Sequence, residues 1–333
     1  MRILVTGSTG HLGEALVRTL KGAGHDVIGI DLTPSVWTTA SGSITDRAFV
    51  SRWMQGVGAV FHTATLHKPH VVTHNKQAFV DTNISGTLNL LEEAASVGVG
   101  VFVFTSTTSV FGDALSPATG APAVWVTEAL SPIPKNIYGA TKAAAEDLCR
   151  LFSRKHRLPC VVLRTSRFFP EADDSREVRM TYADANIKAN EFLYRRVDIA
   201  DVVSAHLCAF ERAADIGFGR YIISATTPFT LDDIFELRRD APEVVRKRAP
   251  ECVAEYAARG WKMFPSIDRV YDNTRAREEL AWQPCYDFAH VIASLRAGAD
   301  PRSQLARDIG SKDYHATSFS DGPYPVHPET AVR

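Results

Sequence analysis

Short apolar runs alternate with segments of helical periodicity through the first half of the chain. A strand that is covered on both faces is apolar throughout, so such runs are typical of buried parallel strands. The runs lie near 2–6, 26–31, 58–62, 100–105 and 160–164. Amphipathic helical patterns lie between them, near 12–23, 47–55, 76–97 and 138–156. The alternation predicts an α/β fold, a doubly wound parallel sheet with helices on both faces.

The pattern weakens after residue 165. Here the sequence predicts helices at 198–211 and 231–239, a short strand at 221–224 and a charged loop at 171–179. The last thirty residues carry Gly and Pro without periodicity, so an irregular tail is expected there.

Composition excludes several classes of protein. The chain has 333 residues and a net charge of −1, without a basic stretch long enough to suggest nucleic acid. Its apolar runs are too short to span a membrane, and Met1 leads directly into a strand, which leaves no room for a signal peptide. Five scattered cysteines resemble buried thiols of a reducing compartment. We therefore expect a cytoplasmic protein that acts on a small molecule.

A glycine-rich turn follows the first predicted strand. Gly7 allows the tight turn out of the strand, Gly10 lets the backbone approach a pyrophosphate, and Gly13 lets the next helix pack closely on the sheet. The N-terminus of that helix, at His11 and Leu12, offers free N–H groups to phosphates. A glycine-rich turn without a ligand is the alternative, but the flanking strand and helix favour a dinucleotide.

Asp31 ends the second predicted strand, about 20 residues beyond the glycines, where an acid binds the ribose hydroxyls of a dinucleotide. A carboxylate there repels a 2′-phosphate, and the residues from Leu32 to Ala40 include neither Arg nor Lys. The sequence therefore predicts NAD as the cofactor in preference to NADP.

Tyr138 and Lys142 lie four residues apart in a predicted helix and thus on one face of it. A lysine ammonium near a phenol favours the phenolate, and a tyrosine tuned in this way can exchange a proton with a substrate oxygen. An ordinary helix start, with Tyr packed and Lys solvated, is the alternative. Five hydroxyl residues, 105–109, end the strand before this helix, and one of them could hold the substrate oxygen beside Tyr138.

Over roughly residues 1–290 the chain resembles the extended short-chain dehydrogenase/reductase superfamily, in its NAD-dependent epimerase/dehydratase group. The segments that carry the resemblance are TGSTGHLG at 6–13, FHTAT at 61–65, NISGTLNLL at 83–91, the strand and turn at 104–112, YGATK at 138–142, LR at 163–164 and YDNTRAREELAWQP at 271–284.

The resemblance implies a Rossmann-type domain at 1–165, to which elements from later in the chain may return, and a smaller C-terminal substrate-binding domain mainly at 166–300, followed by the tail at 301–333. It implies a homodimer through the helices near 76–97 and 138–156. The implied catalytic residues are Thr107, Tyr138 and Lys142. The implied cofactor-binding residues are Gly7, Gly10, His11, Leu12, Gly13, Asp31, Ser43, Ile44, Ala64, Tyr138 and Lys142.

Departures from the family pattern bear on the substrate. Dehydratases of the group carry Thr-Asp-Glu where this chain has Thr107-Thr108-Ser109, so sugar dehydration is disfavoured. Arg167 stands where the family has an Asn that helps to hold a sugar nucleotide, and it could pair with a phosphate or a carboxylate. We expect Thr108, Arg167 and His67 to contact the substrate. The spacing of His67, His70 and His74 is irregular, so a metal site is not predicted.

Three functions remain open from the sequence. The first is an NAD-dependent epimerase of a sugar or sugar nucleotide, in which the keto intermediate stays bound and is reduced again on the other face. The second is an NAD-dependent dehydrogenase of a free sugar, a polyol or a sugar acid. The third is a dinucleotide-binding regulator without turnover, which the intact pair of Tyr138 and Lys142 disfavours.

Overall fold

Seven parallel strands form the central sheet of the protein, in the order β3-β2-β1-β4-β5-β7-β8. The computed structural model describes residues 1–312, 314, 315, 319 and 322–325. The strands are β1 (Arg2–Thr6), β2 (Asp26–Asp31), β3 (Ala40–Ser41), β4 (Ala59–His62), β5 (Val101–Thr107), β6 (Val124–Val126), β7 (Cys160–Thr165), β8 (Phe218–Ile223) and β9 (Arg269–Tyr271).

The helices of the first half are α1 (His11–Gly22), α2 (Arg47–Met54), α3 (Lys76–Phe79), α4 (Gly86–Val97) and α5 (Ile137–His156). Those of the second half are α6 (Arg176–Thr181), α7 (Asp184–Phe192), α8 (Ile199–Ile216), α9 (Ile234–Leu237), α10 (Ala241–Arg248), α11 (Cys252–Arg259), α12 (Thr274–Glu279), α13 (Phe288–Arg296) and α14 (Gln304–Ile309). A π-helical turn, Val80–Ser85, joins α3 to α4.

Both faces of the sheet are covered, so the prediction of a doubly wound α/β fold is confirmed. Ile3 and Val5 of β1 pack with Leu16 of α1 and Val202 of α8 on one face. Leu4, between them, belongs to the apolar cluster on the other face, which includes residues of α2, α4 and α5. The side chains of a strand alternate between its faces, so the apolar run in β1 supplies both layers of the core.

A smaller part of the chain forms a separate apolar cluster from residues of α7, α10, α11 and α13. The chain passes between the two parts in both directions across residue 165. Residues 199–223, which form α8 and β8, return to the central sheet, where β8 pairs with β7. Conversely, β6 lies before residue 165 but pairs with β9 in a two-stranded sheet. A linear boundary fails because a parallel strand needs a long crossover to reach its neighbour.

Two segments that were expected to be irregular contain helices. Residues 171–179 overlap α6, whose first turn is capped by Ser175, the hydroxyl of which accepts a hydrogen bond from the Val178 N–H. Helix α14 lies in the predicted tail, and Ile309 packs into the core beside α1 and α8. Both helices have six residues, which is too short for a periodic pattern to stand out. Among the described residues, no helix is long and apolar enough to cross a membrane.

Candidate active site

The glycine turn after β1 has the close contacts that its sequence predicts. Gly7 has a φ of +73°, and a Cβ there would lie 2.8 Å from the Ala64 nitrogen. A Cβ on Gly13 would lie 1.8 Å from the Gly7 carbonyl oxygen, so α1 packs against the turn without room for a side chain. A Cβ on Gly10 would approach only that same oxygen, at 3.4 Å. Gly10 therefore leaves its outer side open to a ligand.

The N-terminus of α1 has features that suit a dinucleotide phosphate. No side chain caps this helix at Gly10, so the N–H groups at His11 and Leu12 are free of a side-chain acceptor there. Leu12 itself is buried in the core. Asp31, at the end of β2, accepts hydrogen bonds from the Thr9 N–H at 3.1 Å and the Thr33 N–H at 3.1 Å. The carboxylate that was predicted to bind the ribose is thereby held beside the glycine turn.

The remaining candidate cofactor residues lie at the ends of neighbouring strands. Ala64 follows β4, and its N–H donates to the Thr6 hydroxyl at 3.1 Å, which fixes it against Gly7. Ser43 and Ile44 follow β3, and the Ile44 carbonyl accepts a hydrogen bond from Asn89 at 3.0 Å. The carboxyl ends of parallel strands meet at one edge of the sheet, so these residues share the edge that carries the glycine turn.

Tyr138, Lys142 and Thr107 come together at that same edge. Tyr138 and Lys142 lie in the first two turns of α5, which Asn136 caps by accepting from the Gly139 N–H at 3.0 Å. Thr107 ends β5, and its side chain lies close enough to the Tyr138 phenol to lower the pKa of that phenol. All three side chains are buried. The structure therefore assembles the predicted catalytic residues around one position for a substrate oxygen.

The electrostatics of this group differ from the sequence-based expectation. Burial raises the pKa of Tyr138 to about 12, although the nearby Thr107 side chain lowers it. Burial also lowers the pKa of Lys142 to about 7, against the opposing effects of Cys149 and Glu146. The Lys142 ammonium donates to the Thr105 carbonyl oxygen at 2.7 Å. Lys142 is not among the groups that shift the pKa of Tyr138, so the predicted lowering of the phenol pKa by Lys142 is absent from this arrangement.

A buried ion pair between Glu146 and Arg164 anchors α5 to the sheet. The Glu146 carboxylate accepts from Arg164 Nε at 3.0 Å and Nη2 at 2.7 Å, and from the Ser106 hydroxyl at 2.6 Å. The side chains of Glu146 and Arg164 are 1% and 3% exposed. Because Ser106 precedes Thr107 and Glu146 lies one turn beyond Lys142, the pair holds α5 in register with β5 and β7.

Asn83, in the π-helical turn, fixes the loop that follows β4. Its amide oxygen accepts from the Leu66 N–H at 2.9 Å, and its amide nitrogen donates to the Leu66 carbonyl at 2.9 Å and the Thr141 hydroxyl at 3.0 Å. The loop is thus tied directly to α5. Turns of π-helix are frequent at functional sites because they redirect a side chain within a helix. Sequence reasoning placed Asn83 in a family motif but gave it no role.

Arg167 lies in the wall of the pocket but is already occupied. Its guanidinium contacts the carboxylates of Asp173 at 2.5 Å, Glu191 at 2.9 Å and Asp174 at 3.6 Å. These charges hold the pKa of Arg167 above its usual value despite burial. A guanidinium with three carboxylate partners is poorly suited to a substrate anion, so the predicted pairing with a phosphate or carboxylate is disfavoured.

His67 and Thr108, the other expected substrate residues, both line the pocket that contains Tyr138. The His67 ring centroid lies 6.5 Å from that of Tyr138 and 4.8 Å from that of His70. Burial holds the pKa of His67 well below its usual range, and the nearby His70 and His11 lower it further. His67 is therefore a neutral side chain at physiological pH.

The pocket has a volume of about 260 Å³ and includes side chains that sequence reasoning missed. The pocket is also lined by Arg195, Arg269 and Tyr271 from the smaller part of the chain. Tyr314 and Tyr324, from the residues after α14, line it as well. The Nε atoms of Arg195 and Arg269 are buried without a hydrogen-bond partner among the described residues. The sequence offered no signal for these positions, since each is brought to the pocket by tertiary contacts.

The match to known proteins agrees with this geometry. The model of the NAD-dependent epimerase/dehydratase family matches residues 3–223. The chain belongs to that family. It is accordingly an NAD-dependent enzyme of the extended short-chain dehydrogenase/reductase superfamily, and the resemblance stated from its motifs is confirmed.

The proteins to which this chain is similar differ in the reactions that they catalyse. A 3β-hydroxysteroid dehydrogenase/Δ5→4-isomerase of Mycobacterium tuberculosis is 24% identical over 336 residues, 87% of this chain and 88% of that protein. A UDP-glucose 4-epimerase of Rhizobium meliloti is 26% identical over 329 residues, 88% of this chain and 95% of that protein. The crystal structure of UDP-glucose 4-epimerase from Thermotoga maritima, solved with UDP-glucose, superposes with a TM-score of 0.61 at 24% identity, and the match covers 90% of this chain and 99% of that one.

Proposed function

We propose that this protein is an NAD-dependent epimerase that oxidises a carbinol of a sugar or sugar nucleotide and reduces the ketone again on its other face. The observation that carries the proposal is the meeting of Thr107 and Tyr138 in the lining of one pocket, with Lys142 one helical turn away from Tyr138. Similarity to UDP-glucose 4-epimerases over most of the chain supports a carbohydrate substrate.

The residues present suit NAD and the proton transfer that accompanies its chemistry. When bound, NAD supplies the acceptor and the donor of hydride at the carbinol carbon. Gly7, Gly10, Gly13 and Asp31 would hold it, and Lys142 would hold the ribose next to its reacting ring. As its phenolate, Tyr138 would take the carbinol proton and later return it to the ketone oxygen, which Thr107 positions. Proton and hydride both return, so the substrate is isomerised without net oxidation.

The lining of the pocket favours a polar substrate over a sterol. The hydroxyl residues Thr107, Thr108 and Ser109 are part of its lining. A sterol would leave these hydroxyl groups with fewer hydrogen bonds after displacing water from them, which is unfavourable. The steroid dehydrogenase activity of the mycobacterial relative is therefore not the function we propose.

A dehydrogenase of a free sugar, polyol or sugar acid is the second candidate. The modest pocket volume of about 260 Å³ favours it, because a small substrate would fill that space. The reactions differ in their products: a dehydrogenase accumulates NADH, whereas an epimerase does not.

Activity measurements on the purified full chain test the proposal. UDP-glucose, UDP-glucuronic acid, glucose and glucuronic acid would be incubated with enzyme and NAD, with isomers followed by chromatography and NADH by absorbance. We expect an isomer to form without NADH. Tyr138→Phe should lower kcat by about 10²–10⁴-fold while NAD still binds, because it removes only the proton relay. Tyr286→Phe, outside the pocket, is the matched control.

Two results would contradict the proposal in different ways. Accumulation of NADH without isomerisation would identify a dehydrogenase and leave the catalytic residues in place. Unchanged turnover by Tyr138→Phe would remove Tyr138 from the mechanism for both candidates. The homodimer through α4 and α5 and the cytoplasmic location stay predictions.

A further inference from the structure

We propose that Tyr314 and Tyr324, from the residues that follow α14, form part of the wall of the substrate pocket and determine which substrates enter it. We call Lys312, Tyr314, His315 and 322–325 the C-terminal segment. The inference rests on the proposed function, which makes the pocket at Tyr138 the substrate site. It assigns a role to a part of the chain that was expected to be an irregular tail.

The C-terminal segment is attached to the glycine helix through Glu171. One Glu171 oxygen accepts from the Lys312 N–H at 2.9 Å and is bonded to His11 Nε2 at 2.8 Å. The other accepts from the Tyr314 hydroxyl at 2.9 Å. The Lys312 ammonium pairs with Glu14 in the first turn of α1. The Glu171 carboxylate thus joins the segment, the loop after β7 and the helix that begins at His11.

A second attachment is made to the loop after β4. His315 Nε2 lies 3.0 Å from the Pro69 carbonyl oxygen, and His70 Nε2 lies 3.3 Å from the Tyr314 carbonyl oxygen. A carbonyl oxygen can only accept, so both histidines carry a proton on Nε2. Burial lowers the pKa of His70 to about 4, so His70 makes this contact as a neutral ring near pH 7. The segment is therefore tied to two loops that follow separate strands.

Between these attachments, two phenol rings enter the pocket wall. The Tyr314 ring centroid lies 4.9 Å from that of His67 and 6.0 Å from that of Tyr324. Tyr324 is 6% exposed, and burial together with the nearby Asp174 carboxylate raises the pKa of its phenol. Aromatic rings bury large apolar areas, and a buried Tyr324 beside a Tyr314 that is bonded to Glu171 is what a built wall shows. A loosely attached terminus buries few side chains.

The rings act on specificity through shape. The Tyr314 hydroxyl is bonded to Glu171 and the Tyr324 phenol lies near Asp174, so what the two residues present to the pocket is mainly ring surface. With both rings in its wall, the pocket measures about 260 Å³, just under the range of about 300–1,000 Å³ that is usual for drug-sized ligands. Their removal should widen the pocket, expose the reacting atoms to solvent and admit larger substrates.

Quenching of NADH fluorescence in the loaded full-length protein tests the inference without a known substrate. The proposed function brings the reacting ring of the cofactor to Tyr138, so a quencher must enter the pocket to reach it. Acrylamide is the quencher because it is small and uncharged. Tyr314→Ala, Tyr324→Ala and the double variant would be compared with wild type. Tyr286→Ala, which breaks a similar ring contact with His290 outside the pocket, is the control.

We expect the quenching constant of bound NADH to rise about twofold or more in the double variant, because water and small solutes are no longer excluded. The Kd for NADH should change by less than about threefold, under about 0.7 kcal/mol. Tyr314→Phe keeps the ring and should restore the wild-type quenching constant. If the alanine variants do not fold, Tyr314→Leu and Tyr324→Leu retain an apolar core and replace them.

Specificity is then measured on the carbohydrates used for the proposed function. The double variant should raise the KM of the preferred substrate about tenfold with little change in kcat, since it leaves Tyr138 in place. Unchanged quenching, or an unchanged order of preference among the carbohydrates, would overturn the role of the segment alone. A tenfold loss of NADH affinity would assign the segment to the cofactor and also overturn it. Failure of wild type to bind NADH would overturn the proposed function, and this inference with it.

Discussion

Two glycines of the same turn should fail in different ways when each is replaced by Ala. In Gly13→Ala the new Cβ would lie 1.8 Å from the Gly7 carbonyl oxygen and 2.5 Å from the Gly7 carbonyl carbon. In Gly10→Ala the Cβ would meet only the Gly7 oxygen, at 3.4 Å. The first change therefore disturbs packing within the protein, and the second disturbs only the outer side, where the pyrophosphate is proposed to bind.

The magnitudes follow from these distances. Non-bonded atoms are normally about 3.5–4.0 Å apart, and extra atoms in a packed region destabilise by roughly 1–3 kcal/mol, occasionally more. The atom that a Cβ on Gly13 would meet belongs to the backbone of Gly7 and cannot rotate away. We therefore expect Gly13→Ala to lower the free energy of unfolding by about 3 kcal/mol or more. Gly10 has ordinary extended backbone angles, φ −71° and ψ 165°, so Gly10→Ala should change that free energy by less than about 1 kcal/mol.

Urea denaturation and NAD titration by calorimetry separate the two effects. Gly13→Ala should unfold at a clearly lower urea concentration. Gly10→Ala should unfold like wild type but bind NAD about tenfold more weakly or worse, a difference of about 1.4 kcal/mol. Wild-type stability of Gly13→Ala would show that α1 does not need its close contact with the turn. Wild-type NAD affinity of Gly10→Ala would refute the placement of the pyrophosphate at Gly10.

Two carboxylates give further predictions. Asp31→Asn should change the relative affinity for the two cofactors about tenfold in favour of NADP, because it removes the charge but keeps an acceptor for the Thr9 N–H. The Kd of each cofactor is measured by titration, and an unchanged ratio of the two Kd values would contradict the role of Asp31. Glu146→Gln should lower the free energy of unfolding by about 3–5 kcal/mol, because the buried Arg164 loses its charged partner. Urea denaturation measures this loss, and Glu278→Gln, at an exposed position of a helix, is the control.

The local parts of the fold and site were predictable from the sequence. Apolar runs located the long strands, and the glycine spacing located the turn and the N-terminus of α1, because each depends on neighbours along the chain. The hydroxyl at Thr107 and the pair of Tyr138 and Lys142 were assigned by the same short-range logic. Their meeting at one edge then follows from parallel strands whose carboxyl ends share a side of the sheet.

The features that were missed depend on contacts between distant residues. Arg167 looked free for a substrate because the partner Glu191 lies 24 residues away. Tyr314 reaches Glu171 across 143 residues, and the surrounding sequence has no periodicity to indicate a packed element. The pKa of Lys142 depends on how completely α5 is covered, which spacing along one helix cannot show.

Burial of the catalytic pair also bears on the choice between the two candidate reactions. With a pKa of about 12 for Tyr138 and about 7 for Lys142, the phenol is neutral and the amine is partly uncharged at pH 7. A dehydrogenase must pass the substrate proton from this buried phenol to solvent in every turnover. An epimerase takes the proton from one oxygen and gives it back to the same oxygen, so no proton needs to leave the pocket. A neutral phenol cannot accept a proton, so Tyr138 must be ionised before either reaction begins. The dehydrogenase must ionise it again in every turnover, whereas the epimerase regenerates the phenolate when the proton returns to the substrate oxygen, and this favours the epimerase.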